Sequence, residues 1–414
     1  MIARQRTILL ATAAASILTG CTVSTPRTGA EPASATRVVG YLASWGVRSK
    51  GTRIAQLPAD RLTHIIYAFA RVAPDGRLAL GDVCLDRGEC EGRSGQGGVA
   101  PGGNFAELRL LKQRYPHLKL LVAVGGWGGS GRFSDIALTP ESRRAFVASA
   151  VDVIIRDQSG LFDGIDIDWE YPVGGGLPAN AARPEDRHNF TLLLEELRAQ
   201  LDAQGARDGR RYLLTAATAA GPSHVANLEL DRAGAIVDWF NVMTYDYHAG
   251  SHETHFNAPL YAAAGDPTPQ LNIDATVGLY LERGVPASKI VLGVPFYGRS
   301  YGRVPSANRG LFQSAGGPPP REWGAGELDF DNLLRKRPEA AGFRRYWEPI
   351  ARVPWLYHDS AGTWITYDDV QSIGQKADYA RARRLGGVMA WELGGDDDGR
   401  LVRIIHERLN VGGR

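Results

Sequence analysis

The segment Phe162-Asp163-Gly164-Ile165-Asp166-Ile167-Asp168-Trp169-Glu170-Tyr171-Pro172 sets a carboxylate at every second position from Asp166 to Glu170. An extended chain sends alternate side chains to opposite faces. Asp166, Asp168 and Glu170 therefore share one face, and Ile165, Ile167 and Trp169 share the other. If the apolar set takes the packed face, the three acids point into an enclosed space. Successive α-carbons in such a row lie roughly 6–7 Å apart, and three buried negative charges at that spacing are prohibitive. Like charges push at least one pKa upward, so the row stores one or more protons at neutral pH. A stored proton is what a general acid needs. Glu170, the last of the three, is assigned the acid, and Asp168 the group that tunes and orients it. Calcium is the competing ligand for alternating acids. The sixth position counted from Asp166 is Tyr171, however, followed by Pro172, where a calcium loop requires Gly.

Those acids need a frame. From Val38 onward, short apolar runs alternate with amphipathic stretches. The runs predict strands over Val38–Ala43, His64–Ala70, Lys119–Val124, Gly164–Asp168, Tyr212–Ala217, Trp239–Thr244, Ile290–Pro295 and Gly387–Trp391. Most are continuously apolar, as strands covered on both faces are. Helices are predicted over Phe105–Tyr115, Ser142–Arg156, His188–Gln204, Ile273–Glu282 and Asp368–Arg384. Eight strands with crossovers give a (β/α)8 TIM barrel, whose chemistry sits at the carboxyl ends of its strands. Glu170 lies nearest that end. Asp168 and Glu170 leave one strand on the same side, so they cannot flank a sugar from opposite faces as ordinary two-carboxylate glycosidases require.

The remaining stretches bound the organisation. Arg4 and Arg6 precede an apolar run, Thr7 to Leu18, too short to span a bilayer and flanked like an export signal. It ends in Leu18-Thr19-Gly20-Cys21, which resembles the bacterial lipobox and implies acylation of Cys21. Residues 1–20 are thus read as a lipoprotein signal peptide and 21–36, rich in Ser, Thr, Pro and Ala, as a flexible tether. The barrel follows over 37–412, with an inserted subdomain over 300–365 between strands seven and eight, where the chain is too long for one crossover. A second insertion, Asp75–Gly103, carries Cys84 and Cys90. In an oxidising compartment they are expected to form a disulfide worth about 2 kcal/mol, and no His lies nearby to complete a metal tetrahedron. Arg4 and Arg6 account for the whole formal net charge of +2, which leaves no basic surplus for nucleic acid.

Asp163 to Glu170 fits the DxxDxDxE signature, and the chain here resembles glycoside hydrolase family 18, the chitinases. The resemblance extends from Val38 to about the C-terminus. Gly40-Tyr41-Leu42-Ala43-Ser44-Trp45 is similar to the family's first strand, Gly125-Gly126-Trp127 to the third and Met243-Thr244-Tyr245-Asp246 to the sixth. Gly293-Val294-Pro295-Phe296-Tyr297-Gly298-Arg299 is similar to the seventh, and Gly387-Val388-Met389-Ala390-Trp391 to the eighth. The resemblance implies hydrolysis of chitin or chitooligosaccharides, with no cofactor or metal. The sugar's own 2-acetamido oxygen would attack the anomeric carbon, giving an oxazolinium intermediate and net retention. Glu170 would protonate the leaving oxygen and then act as base toward water. Asp168 would hold the acetamido N–H, Asp166 would control its charge, and Tyr245 would bind the acetamido oxygen. For the substrate, the family pattern implies Asp246, Trp391 under the distorted sugar, Trp127 on the leaving-group side, Tyr41 and Trp45 lining the cleft, and Met243, Tyr297 and Arg299 beside them. The insertion resembles the α+β subdomain of deep-cleft members, with Trp355 as its substrate-facing aromatic. One departure is Ala123, where the family usually carries Ser, a hydrogen-bonding partner beside the acid row; its loss bears on the pH profile.

Two weaker signals are set aside. Gly126 to Gly131 matches GxGxxG, but no helix opens there as a dinucleotide site requires. His248, His252 and His255 cluster in a loop without the helical spacing of a metal site. Rival readings are a lectin that binds without cutting, which usually lacks the acid, and an endo-β-N-acetylglucosaminidase acting on N-glycans. The chain is expected to be a monomer, exported and held at the cell envelope by its lipid alone.

Overall fold

In the computed structural model of the protein, residues 36–90, 101–324 and 327–410 are described. The export run, Cys21 and nearly all of the tether lie outside the described residues. Eight parallel strands pair in chain order: Arg37–Ala43, His64–Val72, Lys119–Gly125, Gly164–Asp168, Leu213–Ala219, Trp239–Met243, Ile290–Pro295 and Gly387–Trp391. The first pairs with both the second and the eighth, which closes the barrel. The eight predicted runs match these strands to within two residues at each end. A two-residue strand, Leu78–Ala79, adds antiparallel to the second and was not foreseen.

Helices cover the outside. The capping box of Thr139 and Ser142, with Pro140 in the first turn, starts the helix Pro140–Ala150, which runs on into a π-helical stretch, Val151–Arg156. The helix predicted from Asp368 opens at Val370 instead. Asp369 and Ser372 form its capping box, which frees Asp368 to face inward onto the buried Lys376.

Two apolar layers follow from the two-residue period of the strands. Ile165, Ile167 and Trp169 pack between sheet and helices, while Val39, Ile66, Leu121, Leu213, Val291 and Met389 fill the barrel interior. After strand seven comes an antiparallel sheet ordered Glu327–Asp329, Tyr297–Tyr301, Thr363–Thr366, Val353–His358, Arg344–Glu348. Its strands also alternate. Trp355, Tyr357 and Trp364 pack with Phe256 on one face, and Leu356 and Ile365 with Trp323 and Phe343 on the other. Cys84 and Cys90 are joined in a disulfide.

Candidate active site

The acid row points into the barrel, as its alternation requires. Asp166 is fully buried and holds three donors. The Tyr41 hydroxyl donates to its Oδ2 at 2.7 Å, the Thr215 hydroxyl to its Oδ1 at 2.5 Å, and the Asn241 amide to the same Oδ1 at 3.1 Å. Trp239 Nε1 fixes that amide by donating to its oxygen at 2.9 Å. Asp168, one step up the strand, is buried with its Oδ1 unpartnered among the described residues.

Glu170 is 9% exposed, at the mouth. Its main chain is anchored from the segment after strand three, where the Ser130 hydroxyl accepts from the Glu170 N–H at 2.9 Å and donates to the Gly126 carbonyl at 2.8 Å. The close approach requires Gly125, because a Cβ there would sit 2.2 Å from the Asp168 carbonyl oxygen, at a φ of +111°.

Burial dominates the electrostatics. It raises Asp166, against which the three donors work, Thr215 most strongly. It raises Asp168 well above the carboxylate range, with Glu170 and then Asp166 adding like charge. It lifts Glu170 to about 7; the Tyr171 hydroxyl opposes this and the charge of Asp246 adds to it. The row therefore carries protons at neutral pH. Burial, reinforced by the neighbouring carboxylates, also keeps Tyr245 and Tyr41 as neutral O–H donors.

Around the mouth, Asp246 takes a left-handed φ of 58° just past strand six, a conformation Asp tolerates better than most residues. It accepts from the Tyr297 hydroxyl at 2.6 Å and pairs with Arg299, whose Nη2 is 2.8 Å from Oδ2. Trp391 is half-buried between Tyr41 and Phe69, with ring centroids at 5.5 and 5.6 Å, and Met243 packs at the edge of the same group. Trp45 and Trp127 offer indoles that are 42% and 50% exposed.

Two aromatic assignments are corrected. Tyr41 does not line an open cleft: it is 1% exposed, with its hydroxyl committed to Asp166. Trp355 faces the core of the inserted sheet and not a groove. It is 5% exposed, packs between Tyr346 and Phe256, and donates its indole N–H to the Arg309 carbonyl.

Thr215, Asn241, Trp239 and Ser130 escaped sequence reasoning. For the first three a signal exists, since Leu213, Thr215 and Ala217 alternate inward on strand five, as do Trp239, Asn241 and Met243 on strand six. His248 and His255 stack at 3.6 Å, His255 pairs with Asp266, and among the described residues no group of three or more ligating side chains is arranged for a metal.

A closed parallel barrel with a buried carboxylate row under exposed aromatics has the parts for acid–base chemistry at the carboxyl ends of its strands. Residues 37–396 match the model of the Glycosyl hydrolases family 18, and the chain belongs to that family. It is 40% identical to Chitinase A1 of Niallia circulans over 93% of its own length and 60% of that protein's. It is 34% identical to Chitotriosidase-1 of Mus musculus, over 91% of this chain and 79% of that one. Among solved structures, chitinase ChiA74 from Bacillus thuringiensis superposes with a TM-score of 0.83 at 35% identity, over 92% of this chain and 70% of that one.

Proposed function

We propose that the chain is a chitinase, cutting β-1,4 bonds between N-acetylglucosamine units with retention, the sugar's own acetamido oxygen serving as nucleophile. The one-sided acid row carries this reading. Asp168 and Glu170 rise from a single strand, and Asp246, the carboxylate across the mouth, is engaged by Tyr297 and Arg299. That commitment of Asp246, with both row acids on one side of the sugar, supports a nucleophile supplied by the substrate itself.

Glu170 gives its proton to the leaving oxygen as the glycosidic bond breaks and the acetamido oxygen closes on the anomeric carbon. Asp168 accepts the acetamido N–H at Oδ1, the oxygen without a partner among the described residues. Tyr245 donates to the acetamido oxygen. Water then attacks the anomeric carbon, opening the ring, and returns a proton to Glu170. Trp391 forms the floor under the reacting sugar, Trp127 and Trp45 stack on the units to either side, and Asp246, Arg299, Tyr297 and Met243 shape the rim. The named chitinases among the relatives support the choice of chitin.

Incubation with chitohexaose, chitin and a high-mannose glycoprotein tests the reading. Release of short chitooligosaccharides is expected. Cleavage of the glycoprotein alone would transfer the assignment to an endo-β-N-acetylglucosaminidase, and binding without products to a lectin. The lipobox-like Leu18 to Cys21 supports export and anchoring through Cys21. Labelled palmitate entering the wild-type chain but not Cys21→Ser is the expected result, and equal labelling would contradict it.

A further inference from the structure

We propose that Thr215 is a positioning residue of the acid row, whose hydroxyl keeps the row's negative charge on Asp166 and thereby leaves the neighbouring proton on Asp168. The proposal rests on the functional reading above and deepens it.

The parallel register sets Asp166 between Ala123 of strand three and Thr215 of strand five. Both neighbours are fully buried, and Ala123 has only a methyl group to offer. Donation from the neighbouring strands therefore comes from one side only. On that side the Thr215 hydroxyl lies 2.5 Å from Oδ1. Asn241 reaches the same oxygen at 3.1 Å, its own carbonyl oxygen already taken by Trp239, so its NH2 faces the carboxylate. Tyr41 supplies Oδ2 from strand one at 2.7 Å.

Three neutral donors converging on one buried carboxyl make a site for an anion. Asp168, two residues away, has an Oδ1 with no partner among the described residues. Two buried carboxyls so unequally solvated do not share charge evenly: Asp166 ionises and Asp168 holds the proton. The titratable groups facing this pair are Tyr41 from strand one, Glu170 above it and Tyr245 from the end of strand six, and burial keeps both phenols neutral. The single negative charge then balances the positive charge that develops on the sugar ring. The acid limb of the rate profile is accordingly the loss of that charge.

Thr215→Val keeps the shape and removes the donor. Losing one hydrogen bond to an anion raises the ionisation of the pair by about one pH unit. The acid limb of kcat moves up by that amount, a roughly tenfold loss at fixed pH on the limb. The alkaline limb set by Glu170 stays in place, and KM stays within twofold. Thr215→Ser restores the limb. So does Ala123→Ser in the Thr215→Val background, which brings a hydroxyl from the opposite neighbouring strand. Thr215→Ala carries the same test if the valine variant does not accumulate. A fall in kcat that is uniform with pH, or an unmoved acid limb, overturns the proposal.

Stability gives a readout independent of turnover. Relative to wild type, Thr215→Val is more destabilised above the limb, where Asp166 is charged, than below it; a pH-independent difference would also overturn the role of Thr215. A wild-type chain inert on chitohexaose would refute the functional reading instead, and the stability comparison would still decide the case of Thr215.

Discussion

Glu170→Gln should make this protein more stable above neutral pH, and by an amount the burial of Glu170 sets. A free glutamate ionises at 4.5, and here the carboxyl is lifted to about 7, chiefly by burial. At 1.36 kcal/mol per pH unit, the charged form is disfavoured in the folded state by about 3 kcal/mol. Because the folded pKa lies above the unfolded one, this penalty is absent below pH 4.5. It grows between 4.5 and about 7 and is complete beyond. Glutamine has nearly the same shape and never ionises, so it escapes the penalty. The two proteins should unfold alike at pH 4, and the variant should gain about 3 kcal/mol at pH 8, roughly 4 °C in melting temperature for a domain of this size. Thermal or urea unfolding at pH 4, 6 and 8 reads the difference directly. A variant equally or less stable than wild type at pH 8, or a gain that does not change with pH, would refute the reasoning that burial keeps the acid protonated.

Further outcomes follow from the same structure. The alkaline limb of kcat/KM should bend near pH 7, and Asp246→Asn should move it downward, because the charge of Asp246 helps to hold the proton on Glu170. An unmoved limb would remove Asp246 from the electrostatics of the acid. Trp127→Ala, which discards a half-exposed ring, should raise KM for chitohexaose about fivefold, as an aromatic contact of about 1 kcal/mol predicts, with melting unchanged. Lys376→Met strands the carboxylate of Asp368 in a fully buried pair and should cost about 3–5 kcal/mol in urea unfolding. Adding Asp368→Leu should recover most of that loss.

The acid row was legible because a strand's period is two and the intervening residues are Ile165, Ile167 and Trp169. That pattern alone fixes which way the carboxyls turn. The barrel was legible for the same reason, each continuous apolar run being a strand buried on both faces. What stayed hidden is what depends on contacts between distant elements. Thr215 and Asn241 are neutral residues in apolar strands, and nothing local distinguishes a donor to Asp166 from a satisfied core hydroxyl or amide. Trp355 reads like any exposed platform in an inserted segment rich in aromatics, and only the pairing of its strand with Arg344–Glu348 and Thr363–Thr366 puts it inside. Tyr41 was placed at the right strand end but at the wrong depth, since its hydroxyl reaches Asp166, 125 residues away along the chain.

Proton NMR of chitohexaose products in the first minutes of reaction, before mutarotation, tests the central claim most directly. A row of acids on one side of the sugar, with attack from the substrate's own amide, releases new reducing ends as the β-anomer. Release of the α-anomer would mean that water attacks in a single displacement with the help of a carboxylate on the far side, and the account would fail.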